Sequence, residues 1–155
     1  MRAARLGAEH LVGNHTVSHP DLTKLADAAV RSQIRTAQTM ITTASKQDPR
    51  RFFRFPFGAR DARTIRLVNE LCYVPFRWTV DTLGWKGTSG GMTSAAVVRR
   101  VLAGLRPGEI VLMHVGSHPT DHSTLDADAL PQVIREVRAR GYTFVRLSRV
   151  MAATP

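Results

Sequence analysis

Two histidines stand four residues apart in the stretch "GNHTVSHPDL", Gly13 to Leu22, and a proline follows the second. Neutral imidazole is a ligand for zinc and related metals, so His15 and His19 can supply two ligands from one loop. Pro20 stiffens the exit of that loop, and Asn14 and Ser18 are placed to orient the rings from behind. Taken alone, such a pair is a weak signal and more often belongs to a polar loop or a cap. A catalytic metal commonly takes a third protein ligand, so the rest of the chain has to be searched for it.

Three further stretches carry reactive side chains. "RFPFG", Arg54 to Gly58, reads either as a plain turn or as an arginine for a carboxylate beside a backbone N–H that can receive an oxyanion. "DTLGW", Asp81 to Trp85, sets a carboxylate that can tune a histidine near an aromatic wall. The other reading is a capping aspartate with a core tryptophan. "VLMHV" places His114 at the end of an apolar run, where an imidazole is costly unless paired. It fits a satisfied core histidine or a general acid/base. His118 and His122 continue the four-residue spacing, but Gly116 and Pro119 argue against a shared helical face, so a polar loop is expected there.

These residues need elements to position them. Residues 1–10 read as the last turns of a helix. "HLVG" reads as a short buried strand that delivers His15 and His19 to a loop. Asp27 to Ala44 is expected to be helical, with Val30, Ile34, Ala37, Ile41 and Ala44 on one face. A strand over Arg51–Phe55 runs into "PFG", a helix over Ala62–Cys72 follows, and "VPFRWTV" reads as a strand. The glycine-rich "GTSGGMT" leads to Thr93 as N-cap of a helix over Ser94–Leu105. "EIVLMHV", Glu109–Val115, has the composition of a strand covered on both faces. Leu130–Arg140 reads as a helix closed by Gly141, and "YTFVRL" as the last strand. Alternating strands and helices imply a parallel sheet with crossover helices. Each candidate residue then lies at the carboxyl end of a strand, the edge where ligands gather in such folds. About five strands are expected, with none before the first helix.

Composition narrows the classes. A chain of 155 residues that is 43% hydrophobic is the size of one domain with a core of its own. No apolar run is long enough to span a bilayer. The N-terminus lacks the apolar stretch of an export signal. Cys72 is the only cysteine, so no internal disulfide forms. The net charge of +10 favours polyanions. The arginines are spread along the chain rather than interleaved with aromatics, which suits a solvated basic surface better than a nucleic-acid face.

In this order the four motifs resemble those of the polysaccharide deacetylases, the NodB-like carbohydrate esterases of family four. "HTVSHP" is similar to their H-[ST]-x-x-[HS]-P motif, "RFPFG" to R-x-P-[YF]-G, "DTLGW" to their D-x-x-[DG]-W segment and "VLMH" to L-x-H. The resemblance runs from about Glu9 to the end of the chain, as one domain over 1–155. It implies an α/β fold, a distorted (β/α) barrel, and a divalent metal, most often zinc, held by His15 and His19. It also implies that Arg54 holds a base aspartate and that the Phe57 N–H stabilises the oxyanion. His114 would be the general acid, tuned by Asp81, with Trp85 and Leu112 around the acetyl methyl. The reaction would remove N-acetyl groups from peptidoglycan or chitin-like glycans. An O-acetyl esterase, a non-catalytic glycan-binding remnant and a nucleic-acid-binding domain are the alternatives. One departure matters. The family's [ST]-F-D-D motif, which carries the base and the third metal ligand, does not occur in this sequence. Glu9 and Asp21 are the nearest carboxylates. The expectation is an incomplete barrel lacking its first one or two βα units, with impaired activity. No export signal is read here, although relatives commonly work outside the membrane.

Overall fold

The structure is a computed structural model that describes residues 10–152. Its chain divides into two compact units, Met1–Arg77 with Arg146–Pro155, and Trp78–Val145. The helix expected over residues 1–10 falls outside the described residues, except that His10 lies in a bend.

In the first unit, helix α1 spans Asp27–Ser45. Val30, Ile34 and Ala37 are its buried stripe, as the 3.6-residue period requires. The stripe fades at Ala44, which is exposed, and Ser45 closes the buried face instead. Strand β1, Arg51–Phe53, is followed by a 3₁₀ turn at Pro56–Gly58. Helix α2, Ala62–Glu70, starts on a capping box in which Asp61 and Thr64 bond each other's backbone N–H. It ends two residues before the expected Cys72, and Leu67 and Val68 are its buried apolar residues. Strand β2, Tyr73–Pro75, pairs parallel with β1, with Phe53 opposite Pro75. The core joins Leu22, Val30, Ile34, Phe53, Leu67 and Tyr73.

The strand expected at "HLVG" shrinks to one parallel bridge, Asn14 to Phe53. Asn14 N–H donates to the Phe52 carbonyl at 2.7 Å, and Arg54 N–H donates to the Asn14 carbonyl at 3.0 Å. That bridge suffices to bring the histidine loop and Arg54 to the same strand end.

In the second unit, strand β3, Val80–Asp81, pairs parallel with β4, Val111–Leu112, with Asp81 opposite Leu112. The expected strand "VPFRWTV" therefore divides into β2 and β3. The apolar run "EIVLMHV" pairs over only two residues, because Val115 is fully exposed and leaves the ladder. Helix α3, Ser94–Gly104, is capped by Thr93, whose hydroxyl accepts from Ala96 N–H. Helix α4, Leu125–Ala139, begins five residues earlier than Leu130, so Pro131 lies inside it. Gly141 then turns the chain at φ +81°. Val97, Val101, Ala129, Val133 and Val137 form the core between these helices. No strand forms at "YTFVRL": Phe144 and Val145 are more than half exposed. A short helix, α5, Leu147–Ala152, belongs to the first unit.

Candidate active site

The histidine loop is held from beneath by two amides. Asn14 is 1% exposed, and its Nδ2 donates to the Ile34 carbonyl and the Tyr73 hydroxyl. Its Oδ1 accepts from Thr16 N–H at 3.0 Å. Gln33, on α1, accepts from the N–H groups of Val17 and Ser18 through Oε1 and donates to Ser18 Oγ. His19 N–H donates to Thr16 Oγ1 at 3.1 Å. These bonds support a bent backbone in which Thr16 has φ 67° and His19 has φ 57°. Each left-handed residue with a side chain costs roughly 1–2 kcal/mol, and the five loop hydrogen bonds, at about 1 kcal/mol each, offset the pair.

His15 Nδ1–H donates to the Arg54 carbonyl at 2.6 Å. A carbonyl only accepts, so this bond puts the ring proton on Nδ1 and the basic lone pair on Nε2. The His19 ring lies with its centroid 4.8 Å from that of His15, at 75°. Phe57 meets the other side of His19 at 4.5 Å. Phe57 is itself left-handed, φ 57°, inside the Pro56–Gly58 turn, and its ring is largely exposed.

The expectation that Asn14 and Ser18 orient the rings therefore needs correction. Asn14 and Ser18 fasten the loop backbone, while the partner that orients the His15 ring is the Arg54 carbonyl. Asp21 is engaged as a cap: it accepts from Thr23 N–H and Oγ1 and pairs with Lys24.

In the second unit, Asp81 ends β3 and His114 follows β4 by two residues. Asp81 Oδ1 accepts from Leu83 N–H at 2.9 Å, and its Oδ2 receives Trp85 Nε1–H at 3.4 Å. The carboxylate beside His114 belongs to Asp126. It accepts the His114 backbone N–H at 2.8 Å and lies 3.8 Å from the His114 Nδ1. Burial pushes the Asp126 carboxyl up, but hydrogen bonds from His114 and Thr82 outweigh this and hold it below the usual carboxylate range. A recess of about 200 Å³ is lined by Trp85, His114, His118, Ser123 and Asp126 among others. Trp85 is about half exposed, whereas Leu112 is buried in β4 and lies outside that lining.

His118 and His122 sit in a closed polar loop. His118 N–H donates to the Ser123 carbonyl and His122 N–H to the His118 carbonyl. Asp121 ties this loop to the glycine-rich one by accepting from Ser89 N–H, and it accepts from Ser123 N–H as well. Hydrogen bonds from Ser123 and Ser89 hold its carboxyl well below the usual range.

The polysaccharide deacetylase family profile matches residues 2–76. A peptidoglycan-N-acetylglucosamine deacetylase of Bacillus cereus is 32% identical over 138 residues, which cover 89% of this chain and 48% of that protein. A chitooligosaccharide deacetylase of a Bradyrhizobium species is 35% identical, over 94% of this chain and 64% of its own length. A deacetylase solved with its substrate superposes with a TM-score of 0.83 at 31% identity, over 99% of this chain and 70% of that one. The chain belongs to the polysaccharide deacetylase family. Its fold class is accordingly the α/β fold of that family, with short parallel strands and the helices between them. This polysaccharide deacetylase chain spans from about half to two thirds of the length of the two curated relatives.

The metal that the family implies can be weighed against these donors. A ligating histidine usually gives its second ring N–H to a carbonyl or carboxylate, and His15 does so. The His19 ring lies beside it, with centroids 4.8 Å apart. The pair fits as part of a coordination shell. Among the described residues no group of three or more His, Cys, Asp or Glu is gathered for a metal.

Three residues that matter escaped the motif reading. Gln33 lies on a helix face that reads as solvent. Thr82 and Asp126 are both buried, at 0% and 4% exposure. A buried aspartate one residue into a helix gives no sequence signal apart from its place at an N-terminus. All three act across distances of 15 to 44 residues.

Proposed function

We propose that this chain carries the machinery of a metal-dependent hydrolase that removes N-acetyl groups from glycans of the peptidoglycan or chitin type, as one domain over residues 1–155. The observation that carries the reading is the His15 ring, set by the Arg54 carbonyl with Nε2 as its basic nitrogen. The names of the two curated relatives supply the substrate classes.

His15 and His19 would hold the metal, with zinc the first choice for imidazole donors. A divalent ion bound there would supply positive charge for the acetyl carbonyl and lower the pKa of a water near it. The Phe57 N–H, in the turn at Pro56–Gly58 where Phe57 is left-handed, is the oxyanion donor of this reading. His114 gives the leaving amine its proton, which imidazole can do near neutral pH. Trp85, oriented by its bond to Asp81, forms an apolar wall for the acetyl group. Leu112, buried in β4, is the second apolar residue that the motif resemblance assigns to the acetyl pocket. Arg54 serves a carboxylate base, and this sequence contains no [ST]-F-D-D motif to provide one. Loss of a general base typically costs about 10²–10⁴-fold in rate, so slow turnover is the outcome this reading expects of residues 1–155 by themselves.

The test has two parts. Zinc binding by the parent chain is titrated calorimetrically against His15→Ala and His19→Ala, each expected to weaken binding at least about tenfold. Acetate release is then followed on N-acetylglucosamine oligomers and on peptidoglycan. Slow release that disappears in both variants supports the reading. Zinc affinity unchanged in both variants overturns it. Tight glycan binding with no acetate release at any metal load would favour a non-catalytic glycan-binding role instead.

A further inference from the structure

We propose that Asp126 is the residue that positions His114, the task that the motif resemblance gives to Asp81. The inference rests on the reading of His114 as the acid of the reaction, but its evidence is separate. Asp126 is the second residue of α4 and is 4% exposed. One carboxylate oxygen, Oδ2, takes the His114 backbone N–H at 2.8 Å and faces the ring Nδ1 at 3.8 Å. The other, Oδ1, lies 2.7 Å from the hydroxyl of Thr82, which is wholly buried. That hydroxyl is also 3.0 Å from the Leu112 carbonyl, so the carboxylate is clamped to the strand pair beneath His114.

Room for this arrangement comes from Gly84. A Cβ at that position would stand 2.2–2.8 Å from all three atoms of the Asp126 carboxylate. The missing side chain in "DTLGW" and the buried aspartate of α4 therefore occupy one volume, and only one of them can fill it. Asp81 is turned away: its two oxygens serve Leu83 N–H and Trp85 Nε1–H. A buried carboxylate is costly without an opposite charge, and His114 is the ion-pair partner of Asp126. A carboxylate on the Nδ1 side keeps a proton on Nδ1 and leaves Nε2 as the nitrogen that exchanges its proton with the leaving group.

The test uses ring resonances of the intact chain and requires neither bound metal nor turnover. Nitrogen-15 NMR of the parent should show neutral His114 with its proton mainly on Nδ1. In Asp126→Ala, which removes the acceptor facing the ring, the Nδ1 preference should be lost. Asp126→Asn, whose oxygen can accept from His114 N–H while its NH₂ donates to Thr82 Oγ1, should keep much of it. Asp81→Ala should leave the His114 preference as it is. A parent ring protonated mainly on Nε2 overturns the proposal without recourse to any variant. So does an unchanged Nδ1 preference in Asp126→Ala, or a loss of that preference produced by Asp81→Ala alone. Failure of zinc binding or acetate release would strike the proposed function and leave these ring measurements standing.

Discussion

At the scale of single residues, the site depends on groups that make backbone bonds rather than chemistry. Gln33 is the clearest case, because one side-chain oxygen satisfies two consecutive N–H groups of the histidine loop. Gln33→Ala leaves both to solvent and frees a loop that holds Thr16 and His19 at positive φ. The expected result is a loss of about 1–2 kcal/mol in urea unfolding. Zinc affinity should fall several-fold although no ligand is touched. Equal zinc affinity in parent and variant would show that the loop keeps its shape without Gln33. The His15 ring differs in kind. Its orientation depends on a main-chain carbonyl, so no single side-chain change at Arg54 removes the bond.

At the scale of elements, the parallel pairs are very short, two or three residues each. Helix packing therefore does most of the stabilising. Helix α3 packs Val97 and Val101 against Ala129, Val133 and Val137, residues of α4. Its start is set by Thr93, whose hydroxyl bonds Ala96 N–H at 3.1 Å. Thr93→Ala should cost about 1 kcal/mol in chemical denaturation, while Thr93→Ser should cost much less because the capping oxygen remains. Equal losses for the two would mean that the methyl, not the hydroxyl, matters there.

At the scale of the whole molecule, stability should be lost in acid. Hydrogen bonds from Thr23, Arg50, Thr64 and Ser123 hold the carboxyls of Asp21, Asp48, Asp61 and Asp121 below the usual range. Asp126 is held down as well, against the opposing effect of burial. For a depressed carboxyl the unfolded chain binds the proton first. Its contribution is therefore present above about pH 3.9 and fades as pH falls through the folded value. The thermal midpoint should drop between about pH 5 and pH 3, helped by self-repulsion as a net charge of +10 grows. Glu109 has the opposite sign, because burial pushes its carboxyl up. Its contribution is present below the unfolded value and is lost as pH rises through the folded one. Glu109→Gln should accordingly raise the thermal midpoint at pH 7 and leave it nearly unchanged near pH 3. A midpoint independent of pH across this range would count against both assignments.

The motifs and the helices were legible in the sequence because they rest on local rules. The period of Val30, Ile34 and Ala37, the cap at Thr93 and the glycine at 141 each act within a few residues. The parallel sense of the strands also followed, from the alternation of strand and helix. What the tertiary structure alone decided are the long-range partners. Whether an apolar run such as "EIVLMHV" pairs along its length depends on the neighbouring strand, and here only Val111 and Leu112 find one. In the same way, the place of Asp126 beside His114 needs the volume left open at Gly84. Spacing along a chain carries no record of which side chain fills such a space, because position 84 and Asp126, which share it, come from different elements.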